Sequence, residues 1–370
     1  MSQLFSPFQI GPVTLLNRIG VSPMCQYSAD DGVASDWHLQ HLIQLGYSGA
    51  SLVMVEATGV ERRGRITHRC LGLYSNACEA ALSRVLAAAR RFGGPDVRFG
   101  IQLAHAGRKA SVYRPWDERK GPLEPADDPW PTVSASPIPF DAGWPAPVTL
   151  DEEGMERVRD AFVASARRAV RIGFDAVELH SAHGYLLHQF LSPISNQRQD
   201  SYGGSLENRM RFPLTVAAAV RAAIPNHVAL GARITGTDWL QGGWTVDDAV
   251  AFARGLRQEG LDYVCVSSGG ISPGVSIPVE PGYQIPLAAK VRKEAGIATQ
   301  AVGLIVKPEH AEEIIASDKA DMIALARAFL DDPRWVWHAA EKLEGSIHYP
   351  PQYARASRSL WPGAALLRPL

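Results

Sequence analysis

The sequence predicts an α/β protein, a (β/α)8 TIM barrel with a capping insertion after its third strand. Three observations carry this. Eight short apolar runs recur along the chain, helical patterns separate them, and 370 residues suit one barrel with insertions. The runs are Ile19–Pro23, Leu52–Val55, Phe99–Ala104, Ala176–Leu179, Ala229–Ile234, Tyr263–Val266, Thr299–Val302 and Met322–Ala326. Most are rich in valine, isoleucine or leucine and do not alternate strictly with polar residues, as befits strands buried on both faces of a parallel sheet. The competing arrangement is a six-stranded open sheet. No GxGxxG follows the first run, so the usual mark of a dinucleotide-binding sheet is missing.

The intervening segments read as helices. Leu82, Val85, Leu86 and Ala89 follow i, i+3, i+4, i+7 spacing, and Val158, Phe162 and Ala166 repeat every fourth residue. Thr149 with Glu152 has a capping-box pattern, Asn76 with Glu79 resembles one, and Thr245 with Asp248 is a weaker version. Strand alternating with helix gives βαβ units.

Two stretches break the repeat. Residues 111–150 hold nine prolines and three tryptophans, Trp116, Trp130 and Trp144. So long a loop is usually functional or disordered, and the tryptophans favour an ordered cap over the active-site face. The tail 346–370 carries Tyr349, Tyr353 and Trp361 and is expected either to pack on a neighbouring subunit or to fray. The whole, 1–370, is expected to be one barrel domain.

Composition narrows the function classes. Lys plus Arg is 37 against 38 Asp plus Glu, a net charge of -1, which offers no basic surface for nucleic acid. The four cysteines, Cys25, Cys70, Cys78 and Cys265, contain no CxxC, which argues against a disulfide scaffold and a cysteine-held metal site. No signal peptide and no apolar run near the roughly 18 residues of a membrane span is visible, so a cytoplasmic protein without membrane partners is expected.

Functional residues of such a barrel sit at the C-terminal ends of its strands. There the chain places Ser22, Pro23, Met24, Cys25 and Tyr27, then Glu56 and Ala57, then Gln102 and His105–Arg108. His180, His183 and Tyr185, Arg233, Ser267–Gly270, Gly303, and Ala326 with Arg327 complete the ring. Gly303 and Arg327 suit a phosphate, or are a turn glycine and a surface arginine. Gln102 offers an amide to a heterocycle and Arg233 a permanent cation to an anionic ring; alternatively both fill a polar layer. His180 and His183, three apart, can aim two N–H groups at one oxygen, with Tyr185 as proton donor. The other readings of the pair are a metal site completed by Glu56 or Glu178, and two structural histidines.

The ordered set of motifs resembles the Old Yellow Enzyme family of FMN-dependent ene-reductases, in its thermophilic-like, xenobiotic-reductase subgroup. The likeness runs from Leu4 to about Tyr353. It includes Asn17–Ile19 (NRI), Ser22–Tyr27 (SPMCQY), Ile101–Arg108 (IQLAHAGR), His180–Tyr185 (HSAHGY) and the long Arg198–Arg209 (RQDSYGGSLENR). The resemblance implies FMN over the barrel mouth, its phosphate near Gly303, Ala326 and Arg327. Gln102 would meet the pyrimidine edge and Arg233 the N1–O2 side. Ser22, Pro23, Met24 and Ala57 would contact the ring system, and Cys25 would tune its potential. His180 and His183 would hold the substrate oxygen, Tyr185 would give the proton, and Tyr27 would touch the substrate. NADPH would act as reductant in a ping-pong cycle, as NADPH dehydrogenase. Enones, nitroalkenes and maleimides would be reduced at the activated C=C bond, and no metal is implied. A homodimer or homotetramer is implied, in which Arg355 reaches a neighbour's site, with Arg358 and Trp361 as competitors for that role. Val302 stands where some relatives carry tryptophan. The rivals are a dienoyl-CoA reductase, a metal-dependent hydrolase and a non-catalytic binding protein.

Overall fold

A computed structural model describes residues 2–94 and 96–367; the last three residues of the predicted tail lie outside that range. All eight apolar runs are strands. In chain order the strands are β1 (Phe8–Ile10), β2 (Val13–Leu15), β3 (Ile19–Val21), β4 (Leu52–Gly59), β5 (Arg98–Ala104), β6 (Val133–Ser134), β7 (Val148–Thr149), β8 (Ala176–Ser181), β9 (Ala229–Thr235), β10 (Tyr263–Ser267), β11 (Ala298–Ala301) and β12 (Met322–Leu325). Strands β3, β4, β5, β8, β9, β10, β11 and β12 close a barrel in that order, every pair parallel. The open-sheet alternative is thereby overturned.

The helices are α1 (Asp36–Gly46), α2 (Asn76–Gly93), α3 (Glu152–Ile172), α4 (Leu186–Leu191), α5 (Leu206–Ala223), α6 (Val246–Gln258), α7 (Ile285–Ala295), α8 (Pro308–Ala316), α9 (Arg327–Asp331), α10 (Trp335–Leu343) and α11 (Gly363–Leu367). The periodic residues of α2 and α3 are buried against the barrel. Their caps differ from the sequence reading. Asp151, not Thr149, caps α3 by accepting the Gly154 N–H, and Ser75, not Asn76, caps α2 by accepting the Cys78 N–H. A neighbouring residue of equal capping chemistry wins at each site, because one position decides which side chain faces the free N–H groups. The Thr245–Asp248 pattern, by contrast, is a complete capping box.

The N-terminal hairpin β1–β2 has no counterpart in the sequence reading. Ile10, Val13 and Leu15 pack against Leu52, Met54, Ala176, Ala229, Tyr263 and Met322. Most of those partners open their strands, so the hairpin closes the N-terminal end of the barrel and leaves the C-terminal end for chemistry.

The insertion carries β6, β7 and a bridge between Val112 and Pro122. Trp130 anchors it: its indole N–H donates to the Arg63 carbonyl, with Arg65 over the ring and His68 at its edge. The tail packs elsewhere. Tyr353 stacks on Tyr47, the residue ending α1, and meets Trp337 of α10. Tail residues 346–348 and 350–353 help line a cavity of about 850 Å³ with Gly49–Ser51, Gly93, Gly94, Asp96 and Val97, which precede β4 and β5. Among the described residues no helix is long and apolar enough to cross a membrane.

Candidate active site

The end of β8 and the loop after it bring His180, His183 and Tyr185 together. The two imidazole centroids lie 5.2 Å apart, and His180 meets the Tyr185 ring edge-on at 4.7 Å. Packing this tightly needs left-handed backbone at His183 (φ +56°) and Gly184 (φ +71°). A Cβ on Gly184 would lie 2.2 Å from the Gly270 carbonyl oxygen, so glycine alone lets this loop touch the segment after β10. Behind the loop, the Gly184 N–H donates to His188 Nδ1. His188 Nε2 then faces Asp238 at 3.3 Å, whose other oxygen accepts from Ser192 and the Trp244 N–H. A buried carboxylate thus orients an imidazole, and the imidazole fixes the loop.

Both site histidines are held neutral. Burial, then the Arg233 guanidinium, pushes each imidazole well below its ordinary value, and Lys109 adds to this. His180 Nδ1 accepts the Ala182 N–H, which leaves its proton on Nε2 as a free donor. His183 Nε2 is 2.7 Å from Ser267 Oγ, and Ser267 in turn donates to Gln284. Burial pushes the Tyr185 phenol above its usual range, so it keeps its proton.

The opposite wall comes from the loop after β3. Ser22 is buried, and Pro23, Met24, Cys25 and Tyr27 are half-buried. Burial and then Glu56 raise the Cys25 thiol well above its ordinary value. Glu56 itself marks a break in the β4–β5 register between Val55 and Ala57. Its carboxylate turns to His38 of α1 at 3.3 Å and accepts the Gln26 N–H, while Ala57 falls back into line beside Gln102. Trp116 of the insertion meets Tyr27 edge-on at 5.5 Å.

Below the mouth lies a polar layer. Gln102 donates to Glu178 at 2.8 Å, and Tyr263 donates to the other Glu178 oxygen. Arg233 stands beside His180 and Cys265 in register, and its buried Nε has no partner. On the far rim, Gly303 and Ala326 are half-exposed and Arg327 is exposed. Among the described residues the Gly303 and Ala326 N–H groups donate to no acceptor. The unpartnered Arg233 Nε, the Gln102 amide oxygen and the free N–H groups of Gly303 and Ala326 fit a planar anionic heterocycle bearing a phosphate.

Glu56 and Glu178 are both committed elsewhere, and no cluster of three His, Cys, Asp or Glu suited to a metal occurs among the described residues. Arg355 is exposed on the tail, at the N-terminal side of the barrel, so the structure does not bring it to the other site residues of its own chain. Sequence reasoning missed Lys109, His188 with Asp238, and the Ser267 contact. Ser267 lay in the quoted strand-end set, whereas Lys109 directly follows Arg108 with nothing in the spacing to say where its amine turns.

Residues 3–346 match the NADH:flavin oxidoreductase / NADH oxidase family. NADPH dehydrogenases of Listeria innocua and Geobacillus thermodenitrificans are each 41% identical, covering 96% of this chain and 99% and 98% of theirs. Morphinone reductase superposes with a TM-score of 0.75 at 27% identity, covering 95% of this chain and 92% of that one. A 2-naphthoyl-CoA reductase shares the fold at TM-score 0.82 and 23% identity, and this chain spans 52% of its length. The chain therefore belongs to the NADH:flavin oxidoreductase / NADH oxidase family, the Old Yellow Enzyme family, and is an FMN-dependent NADPH oxidoreductase.

Proposed function

We propose that the protein is an ene-reductase acting on α,β-unsaturated carbonyl and nitro compounds, with NADPH and alkene using one pocket in turn, a ping-pong cycle. The observation that carries this is the grouping of two neutral imidazoles and a protonated phenol at the end of β8 and the loop after it. Gln102, Arg233, Gly303, Ala326 and Arg327 would hold FMN, with Ser22, Pro23, Met24, Cys25 and Ala57 along its near side. Bound FMN would supply the hydride-transfer chemistry between NADPH and the alkene.

This chain's residues supply the rest. The His180 Nε2–H donates to the substrate oxygen, which competes with Ser267 Oγ for His183 and is thereby polarised. Tyr185 gives its proton to the α-carbon. Tyr27, backed by Trp116, touches the substrate from the first loop. Cys25, kept as a thiol, tunes the redox potential. We further propose a homodimer or homotetramer in which Arg355 serves a neighbouring copy.

The test separates the two half-reactions under anaerobic conditions. Tyr185→Phe is expected to slow bleaching by NADPH little and to slow recolouring by cyclohexenone about a hundredfold, the usual scale of general-acid catalysis. Equal loss in both halves would remove Tyr185 as the proton donor.

A further inference from the structure

Lys109 ends the short turn that follows β5. Its ammonium donates to the His183 and Gly270 carbonyl oxygens, each at 2.9 Å. It also lies 5.1 Å from the Tyr185 ring centroid and 4.7 Å from that of Phe140 in the insertion. No carboxylate among the described residues pairs with it, although most lysines and arginines of this chain with an ion partner find one at the surface. The charged or titratable groups facing it are Arg108 beside it, His180 at the end of β8, and His183 and Tyr185 on the loop that follows. The segment after β10 offers it only backbone oxygen, and the insertion only an aromatic face.

A half-buried cation that satisfies carbonyls and π faces, with no counter-ion, directs its charge onto what it touches. We propose that Lys109 is a positioning residue for proton delivery: it clamps the His183–Tyr185 loop to Gly270 and stabilises the phenolate left when Tyr185 protonates the substrate. The O–H bond of Tyr185 breaks and its electron pair stays on the phenolic oxygen. A C–H bond forms at the substrate α-carbon, and solvent water later returns the proton. The same charge opposes protonation of His180 and His183, which keeps both able to donate to a substrate oxygen in the neutral form. This rests on reading Tyr185 as the proton donor.

Burial, then the neighbouring Arg108, lowers the Lys109 amine to about 8. The cation is therefore present below that pH and lost above it. In the FMN-loaded enzyme, recolouring by cyclohexenone should fall as pH rises through about 8. Lys109→Met should slow recolouring about tenfold more than bleaching by NADPH, remove the fall near pH 8 and raise the solvent deuterium isotope effect on recolouring. Lys109→Arg, charged throughout, should restore the rate and hold it to higher pH. If Lys109→Met fails to fold or to keep FMN, the Lys109→Arg profile decides: an unchanged fall near pH 8 overturns the proposal. So does a Lys109→Met enzyme with wild-type recolouring and isotope effect while Tyr185→Phe is impaired. Wild-type recolouring in Tyr185→Phe instead overturns the donor reading, and this proposal with it.

Discussion

Arg233 shows how one residue joins fold and chemistry. It sits within a barrel strand, in register with His180 on one side and Cys265 on the other, and its Nε is buried without an acceptor. Orphaned donors of this kind cost free energy on the order of 1–3 kcal/mol unless a ligand completes them. Glu178 lies close enough to feel the guanidinium, yet burial still pushes the carboxyl above its usual range. A cation held below the barrel mouth favours the more negative, reduced cofactor. Arg233→Gln is expected to weaken FMN binding and to lower its midpoint potential by about 30 mV or more, equivalent to roughly 1.4 kcal/mol for a two-electron couple. Redox titration with a reference dye reads this directly, and an unshifted potential would confine Arg233 to structure.

At the scale of elements, the eight barrel strands were legible because both faces of each are buried, so their apolar runs are nearly continuous. The hairpin β1–β2 was not. Its strands are three residues each, too short for a period, and their apolar side chains read as an ordinary N-terminal loop. Only the closed barrel supplies the surface that Ile10, Val13 and Leu15 cover. Ile10 is fully buried there, so Ile10→Ala is expected to destabilise the protein by about 3 kcal/mol, seen as a lower denaturant midpoint with an unchanged slope. Much the same division holds at the site. His180, His183, Tyr185, Gln102 and Arg233 could be picked out because strand ends are where a barrel keeps its chemistry. The supports were invisible: His188 with Asp238, and Glu56 with His38, are pairings between segments far apart in sequence. Lys109 was hidden for the same reason, since its partners come from two other strand ends and the insertion.

At the scale of the whole molecule, the tail and the mouth lie at opposite ends of the barrel. Tyr353 stacks where α1 finishes, and α1 runs back from the C-terminal end of β3 to the N-terminal side. Arg355, two residues on and exposed, is remote from its own Tyr185, so any service it gives to a catalytic pocket is given to another copy. This arrangement makes a specific prediction about mixed assemblies. Arg355→Ala should raise KM for enones several-fold while each copy keeps its own Tyr185, and Tyr185→Phe should lose recolouring. Neither variant alone then has an intact pocket. A mixed dimer has one: the Arg355→Ala copy contributes Tyr185, and the Tyr185→Phe copy reaches over with Arg355. Mixing the two after mild dissociation should therefore restore low-KM turnover to a fraction of the pockets, with the other pocket of each mixed pair doubly impaired. If Arg355 worked within its own chain, no pairing of the two variants could produce an intact site. Activity at low enone concentration would then remain the average of the separate variants at every mixing ratio.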